Sequence, residues 1–149
     1  MIALQKIISG GQTGADVGGL VAGVSSGLET GGTAPQGWRT EDGPMPYLGT
    51  CYHLKEGPPG YAERTKINVA DSDATLIVGN TSSPGSRLTL ETCESQGKLY
   101  LVNPEPAELR AWLESYDIRT LNVAGNRESK NPGIGIRTFH LLYQALKQK

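Results

Sequence analysis

The sequence has no excess of charge of either sign. Its 149 residues include 14 basic and 15 acidic side chains, and no block of like charge occurs. A nucleic-acid-binding surface needs clustered lysine and arginine, and a membrane-surface segment needs a basic amphipathic stretch. We therefore expect neither nucleic acid nor a membrane as a partner, and any anion-binding site should be local and built largely from backbone groups.

Cysteine and long apolar runs are also scarce. Two cysteines, Cys51 and Cys93, are too few for a disulfide framework in a chain of this size. No apolar stretch approaches the ~20 residues that a transmembrane helix needs. Gln5 and Lys6 interrupt the first apolar run, so we expect no signal peptide. Together these absences predict a cytoplasmic protein.

Groupings typical of metal sites and catalytic sites are missing as well. His53 and His140 are far apart and belong to no cluster with ligand spacing, so we expect no metal site built from His and Cys side chains. No Ser/His/Asp set or carboxylate pair stands out as catalytic. Glycine is abundant instead, at 20 residues, which indicates many tight turns or close backbone approaches.

Apolar runs alternate with amphipathic segments along nearly the whole chain. Strands are predicted at residues 4–8, 74–79, 99–102 and 120–124. Helices are predicted over residues 17–24, at 61–72, at 87–96 with Ser86 as the N-cap, at 105–116, and from about residue 132. Residues 31–60, rich in glycine and proline, are expected to be a long irregular loop. The pattern predicts an α/β fold, a doubly wound parallel sheet flanked by helices, in a single domain spanning residues 1–149.

Polar, glycine-bearing loops follow three of the predicted strands, at residues 9–16, 80–87 and 125–131. The loops that follow parallel strands lie at one edge of the sheet, where ligands bind at the point at which the strand order switches. We therefore expect the three loops to converge on one anion-binding site.

The first loop, SGGQTGAD at residues 9–16, leads from a strand into a helix, where backbone N–H groups and the helix N-terminus favour an anion. It lacks both the Lys-Ser/Thr pair of a P-loop and the GxGxxG pattern of dinucleotide-binding turns. Its predicted binding residues are Gly10, Gly11, Gln12, Thr13, Gly14 and Asp16. The alternative is a plain tight turn, in which Asp16 is only an acid favoured in the first turn of a helix.

The other two loops offer hydroxyl groups, backbone amides and cations. The second loop contributes Ser83, Gly85, Ser86, Arg87 and Thr89, and the third contributes Arg127 together with Asn122 from the strand before it. A polar residue such as Asn122 in a buried strand needs a hydrogen-bond partner. Arg87 either clamps a phosphate or is a solvated surface residue, and the sequence leaves both interpretations open.

Motifs spread over nearly the full length carry a family resemblance. They are KIISGGQTGAD at 6–16, GG at 31–32, PQGWR at 35–39, EDG at 41–43, YAERT at 61–65, SDATLI at 72–77, LNVAG at 121–125 and RESK at 127–130. With these motifs the chain resembles the molybdenum carrier proteins, relatives of the molybdenum cofactor carrier proteins, in a Rossmann-like superfamily that includes lysine-decarboxylase-like phosphoribohydrolases.

The resemblance implies a Rossmann-like fold, a homo-oligomer (tetramer or dimer), and binding of the molybdenum cofactor (molybdopterin) or of molybdate or phosphate-like anions. It implies storage and transfer of that pterin cofactor without catalysis, with molybdoenzymes as partners. Pro35 and Arg39, in the PQGWR motif, join the expected cofactor-binding residues on this basis.

One departure bears on an enzymatic alternative. Phosphoribohydrolase relatives carry a PGGxGTxxE loop, and the corresponding stretch here is PGSRLTLET at 84–92. Thr92 occupies the glutamate position, and Glu91 comes one residue earlier, a shift of about 100° around a helix. We therefore expect the carboxylate to point elsewhere. A nucleoside-monophosphate phosphoribohydrolase-like enzyme and a nucleotide-sensing domain are the alternatives to a carrier.

Overall fold

The computed structural model describes residues 1–147. In chain order its elements are β1 (Lys6–Ile8), α1 (Ala15–Ser25), β2 (Glu29–Gly31), β3 (Thr33–Ala34), β4 (Arg39–Thr40), β5 (Gly43–Pro44), α2 (Tyr47–Tyr52), β6 (Lys55–Glu56), α3 (Tyr61–Ala70), β7 (Ala74–Val78), α4 (Pro84–Gln96), β8 (Leu99–Val102), α5 (Pro106–Ser115), β9 (Thr120–Gly125) and α6 (Ile134–Lys147). A short 3-10 helix, Gln36–Trp38, lies between β3 and β4. No helix within residues 1–147 is both long enough and apolar enough to cross a membrane.

The main sheet has five parallel strands in the order β2-β1-β9-β7-β8. The last strand of the chain, β9, therefore lies at the centre. If the strands are renumbered with β9 as 1, β1 as 2, β2 as 3, β7 as 4 and β8 as 5, their order in the sheet is 3-2-1-4-5. This is the order of the corresponding strands in the classical dinucleotide-binding fold. The predicted α/β, Rossmann-like, doubly wound fold is confirmed, and its switch point lies between β9 and β7.

The helices cover both faces of this sheet. α1, α5 and α6 pack against one another on one face, and α3 packs against α4 on the other. This arrangement follows from right-handed crossovers that run in opposite directions from the switch point. Between the layers, the main core contains Ile7, Leu76, Leu109, Leu113, Leu121, Val123 and Leu142.

Helix α1 lies unusually close to the sheet because Gly19 faces β9. A Cβ atom on Gly19 would come within 2.7 Å of the Val123 Cβ atom. Glycine costs about 1 kcal/mol relative to alanine inside a helix, and here the close packing of helix on sheet offsets that cost.

The predicted start of α4 is wrong by three residues. The helix begins at Pro84, and Ser83 is its N-cap, because the Ser83 hydroxyl accepts a hydrogen bond from the backbone N–H of Ser86. Proline fits the first turn of a helix, where its missing N–H would have no partner. Ser86 therefore lies inside the first turn and is buried.

The prediction for residues 31–60 is also wrong, because most of this segment is folded. Strand β2, which the sequence analysis missed, pairs with β1 at the edge of the main sheet. It is only three residues long and has no apolar run, so no periodicity marks it. Further along, β3 pairs with β6 and β4 with β5. A second small core, formed by Leu20, Ala34, Leu48 and Leu54, attaches this segment to α1.

Leu142 on α6 tests the packing of the main core, since its side chain is fully buried. We expect Leu142→Ala to lower the free energy of unfolding by about 2–5 kcal/mol, because it removes contacts and leaves a cavity. Urea denaturation followed by circular dichroism measures the change. Gln144→Ala, at an exposed position of the same helix, is the control and should change stability by less than about 0.5 kcal/mol. Equal losses in both variants would contradict this packing.

Candidate functional site

The three polar loops meet at the carboxyl edge of the sheet, because β1, β9 and β7 are adjacent strands. Asn126, in the loop after β9, joins them. Its backbone oxygen accepts from the Ala15 N–H at 3.1 Å. Its side-chain Nδ2 donates to the Asn80 oxygen at 3.0 Å and to the Ser83 hydroxyl at 3.1 Å, and its Oδ1 accepts from the Asn80 N–H at 2.6 Å. One buried amide therefore fixes the relative positions of all three loops.

A polar cleft opens beside the loops after β1 and β9, and no residue of the loop after β7 lines it. Its cavity of about 280 Å³ is lined by Gln12, Pro35, Arg39, Thr40, Glu41, Pro59, Tyr61 and Arg127. Gln12, Pro35, Arg39 and Arg127 are predicted site residues, and the fold brings them together from three separate segments. Arg39 and Arg127 are exposed, and neither forms an ion pair with any residue in 1–147. The cleft therefore presents two guanidinium groups that have no direct ion pair within this range, together with one carboxylate, Glu41.

A second, much smaller cavity adjoins the cleft. Its volume is about 20 Å³, and its lining includes four predicted residues, Gly10, Asp16, Thr89 and Asn122, together with Arg64, Thr65 and Asn68. Two contacts connect it to the cleft. The Gln12 N–H donates to the Asp16 carboxylate at 3.1 Å, and the Arg64 guanidinium lies 4.4 Å from the centre of the Tyr61 ring. This volume has room for about one water molecule and not for a substrate.

Arg64 and Asp16 form a buried ion pair beside this small cavity. Their Nη1 and Oδ2 atoms are 3.5 Å apart, and each residue is 5% exposed. Burial raises the pKa of Asp16 to about 6, although the charge of Arg64 and the backbone N–H groups of Gln12 and Gly10 act in the opposite direction. Gly10 leaves the room for Arg64, since a Cβ atom there would lie 1.4 Å from the Arg64 Nη1.

Several predicted residues have their polar groups bound inside the protein. Asn122 donates through Nδ2 to the Thr75 hydroxyl at 3.3 Å, which is the partner that a buried strand position requires. Thr89 donates to the Gly85 oxygen at 3.0 Å. The hydroxyl of Ser86, like that of Ser83, accepts from Asn126, at 3.4 Å. These side chains hold the loops in place from within.

The remaining predicted residues do not line the cleft, and the glycines among them are required by close packing or by backbone conformation. Gly11 faces Leu48 in the second core, and a Cβ atom there would come within 2.8 Å of it. Gly14 has a φ of +86° and lies against the Asn126 oxygen, so only glycine fits. Gly85 lies beside the Tyr61 hydroxyl. Arg87 is exposed on the first turn of α4 and lines neither cavity.

The β4–β5 hairpin is fastened to the loops through Glu41. The Glu41 carboxylate accepts hydrogen bonds from the hydroxyls of Thr13 and Ser129 and from the Ser129 N–H, the last at 3.1 Å. The Glu41 N–H donates to Oε1 of Gln12 at 2.8 Å. Hydrogen bonds from Ser129 and Thr13 lower the pKa of Glu41, which shows that these groups favour a negative charge.

Sequence reasoning did not assign roles to five residues of this region: Glu41, Tyr61, Arg64, Asn126 and Ser129. Each except Asn126 lies in one of the family motifs, so the motifs marked the segments but not the contacts. No local periodicity connects Arg64 to Asp16 or Glu41 to Ser129. As for metals, residues 1–147 contain no group of three or more His, Cys, Asp or Glu side chains placed to hold one.

Comparisons with known proteins agree with this architecture. The family model described as "Circularly permutated YpsA SLOG family" matches residues 7–146. A crystal structure at 1.45 Å resolution of a "Putative molybdenum carrier protein" from Syntrophus aciditrophicus SB is 36% identical in sequence, with a TM-score of 0.89. The match covers 97% of this chain and 96% of that chain. None of the curated proteins compared with the chain matches it. Together the two similarities indicate a ligand-binding role.

The buried Asp16 should make the protein less stable as the pH rises toward 6. Its pKa of about 6 exceeds the reference value of 3.8, so between these values the folded protein keeps a proton that the unfolded chain has released. The free energy of unfolding therefore falls with rising pH across this window, by about 3 kcal/mol in total at ~1.4 kcal/mol per pKa unit.

Urea denaturation between pH 4 and pH 7.5 measures this dependence in the wild type and in Asp16→Asn. The difference in stability between the two proteins should change in favour of the variant as the pH rises through the window. Contributions from other groups, Glu41 included, are common to both proteins and cancel. A difference that does not vary with pH would show that Asp16 titrates normally.

Proposed function

The chain belongs to the circularly permutated YpsA SLOG family, and from this membership and the cleft we propose that it binds, stores and transfers the molybdenum cofactor. The resemblance drawn from the sequence motifs is confirmed at the level of the family. The name of the similar crystal structure, a molybdenum carrier, supports the choice of ligand.

The observation that carries the proposal is that Arg39 and Arg127 line one cleft and neither forms a direct ion pair with any residue in 1–147. Molybdopterin is a pterin that bears a phosphate and holds molybdenum through its own dithiolene. Arg39 and Arg127 would hold the phosphate through charge-assisted hydrogen bonds. The Gln12 side chain and the exposed ring of Tyr61, which also line the cleft, would contact the pterin. Because the dithiolene carries the metal, the protein needs no His/Cys cluster for this cargo.

The size of the cleft favours a carrier that exposes part of its cargo. Its volume of about 280 Å³ is just below the ~300–1,000 Å³ usual for pockets that enclose a ligand. The cleft would therefore bind one end of the cofactor and leave the other accessible. Accessibility suits transfer to a molybdoenzyme, which we propose as the recipient. We also propose that the protein is a homo-oligomer, a tetramer or dimer, as its family resemblance implies.

A nucleotide-directed function is the second candidate, and Asp16 is the observation that favours it. A carboxyl group whose pKa is near 6 beside a buried arginine is typical of catalytic sites. Two observations oppose hydrolysis. The cavity at Asp16 has room for about one water molecule, and Glu91 is exposed whereas Thr92 is buried, so the carboxylate of the phosphoribohydrolase loop points to solvent. Release of free base from nucleoside monophosphates, lost in Asp16→Asn, would favour this candidate over the carrier.

The carrier proposal predicts that Arg39→Ala and Arg127→Ala each reduce the cofactor bound per protein about tenfold. Each variant loses a charge-assisted hydrogen bond worth about 1.5–3 kcal/mol, and tenfold corresponds to about 1.4 kcal/mol. Bound pterin is oxidised and measured by fluorescence, and molybdenum is measured by mass spectrometry. Melting temperatures of the ligand-free variants should match the wild type, because both side chains are exposed.

Arg119→Ala is the matched control, since Arg119 is an exposed arginine at the opposite edge of the sheet, next to β9. It should bind as much cofactor as the wild type. Repeated absence of both pterin and molybdenum from the purified wild-type protein, with no uptake of added cofactor, would refute the carrier function.

A further inference from the structure

The environment of Glu41 is that of a bound anion rather than that of an ordinary surface carboxylate. Three donors converge on it: the Thr13 hydroxyl, the Ser129 hydroxyl and the Ser129 N–H. Arg127 adds an attractive positive charge. Surface carboxylates are commonly solvated or paired with a flexible lysine or arginine, whereas here two ordered loops supply the donors.

These donors belong to the ligand-binding edge of the sheet. Thr13 lies in the loop after β1 and Ser129 in the loop after β9, and both loops are fixed to each other through Asn126. Glu41, by contrast, comes from the β4–β5 hairpin, which pairs with no strand of the main sheet. The donors are thus part of the rigid framework, and the acceptor is carried on a separate segment.

The acceptor also lines the proposed cofactor cleft, as does Arg39 two residues before it. The Glu41 carboxylate binds Thr13 and Ser129, which do not line the cleft, so a ligand anion would reach these donors by taking the place of the carboxylate. A tetrahedral oxyanion such as phosphate or molybdate offers the same pair of adjacent acceptor oxygens as a carboxylate, with more charge.

We propose that Thr13 and Ser129 form an oxyanion-binding site that the protein's own Glu41 fills, and that an oxyanion group of the ligand displaces Glu41 from it. This inference rests on the proposed function only in requiring an anionic ligand at this edge. Displacement breaks the hydrogen bonds of the Glu41 side chain, whereas the Glu41 N–H bond to Gln12 and the packing of Trp38 and Met45 on the second core still hold the hairpin. Arg39 therefore stays beside the bound anion, while the competing carboxylate keeps binding reversible.

Removing the competitor tests the inference. Calorimetric titration of molybdate, and separately of inorganic phosphate, compares the wild type with Glu41→Ala and Glu41→Gln. We expect Glu41→Ala to bind at least one of the two anions about tenfold more tightly than the wild type, and Glu41→Gln to lie between them. Asp42→Asn is the matched control: it removes the same charge from the same hairpin, but the Thr13 and Ser129 hydroxyls donate to Glu41 and not to the Asp42 side chain. It should stay within about twofold of the wild type.

Affinity in Glu41→Ala that equals or falls below that of the wild type would overturn the inference, as would an equal gain in Asp42→Asn. Absence of binding to every protein would also overturn it, because a vacated site should accept an oxyanion. A preference for one anion identifies the end of the cofactor that fits, phosphate or molybdenum.

Hydrogen exchange at the Ser129 amide gives an independent readout. In the wild type Glu41 should protect this amide, and in Glu41→Ala the amide should exchange rapidly until molybdate or phosphate is added. An amide that stays unprotected at saturating anion would contradict the inference. Because the probes are inorganic anions, this result does not depend on pterin. Failure of the protein to load cofactor would refute only the proposed carrier function. An unchanged anion affinity in Glu41→Ala would refute only the proposed displacement of Glu41.

Discussion

The candidate site depends on the side-chain amide of Asn126. Its Nδ2 donates to the loop after β7, its Oδ1 accepts from the Asn80 and Asn131 amides, and its backbone oxygen accepts from the N-terminus of α1. An aspartate would keep the acceptor but lose both donors, and an alanine would remove the donors and the acceptor together. Gln12 and Arg127 belong to two of these loops, and Tyr61 lies against Gly85 in the third, so the network positions these parts of the cleft.

Strand β9, which directly precedes Asn126, also holds the main sheet together. β1 pairs only with β2 and β9, and β7 pairs only with β8 and β9. Without β9 the main sheet would be two separate strand pairs, each too small to be stable alone. The same strand that joins them delivers Asn122 to the small cavity, and Asn126 and Arg127 follow it directly. The same strand therefore completes the main sheet and positions these three residues of the candidate site.

What the sequence predicts here is the part of the structure set by local patterns. Four of the main-sheet strands are apolar runs, so the sequence predicted them. Asn122 was identified because it is a polar residue within one of these runs. Strand β2 has no such run, and the N-cap of α4 was misplaced because Ser83 and Ser86 are both good caps and only the position of Pro84 distinguishes them. The pairs Asp16–Arg64 and Glu41–Ser129 join residues far apart in sequence. The order of the strands in the sheet brings the two residues of each pair together, and this order cannot be read from the periodicity of the sequence.

The near-neutral composition led us to expect an anion site made largely from backbone groups, and the candidate cleft adds two arginine side chains to such groups. Of the carboxylates near the cleft, Asp16 is paired with Arg64, and Glu41 is satisfied by hydroxyls and an amide. Glu128 is bound by backbone N–H groups at the start of α6. None of them forms a direct ion pair with Arg39 or Arg127, although Glu41 lines the cleft with both. A chain with as many acids as bases can thus present a positive cleft, because the local field depends on which charges are already satisfied and not on how many there are. Among the three carboxylates, Glu41 is the one that we propose a ligand oxyanion displaces, because the oxyanion could accept hydrogen bonds from the same donors, Thr13 and Ser129.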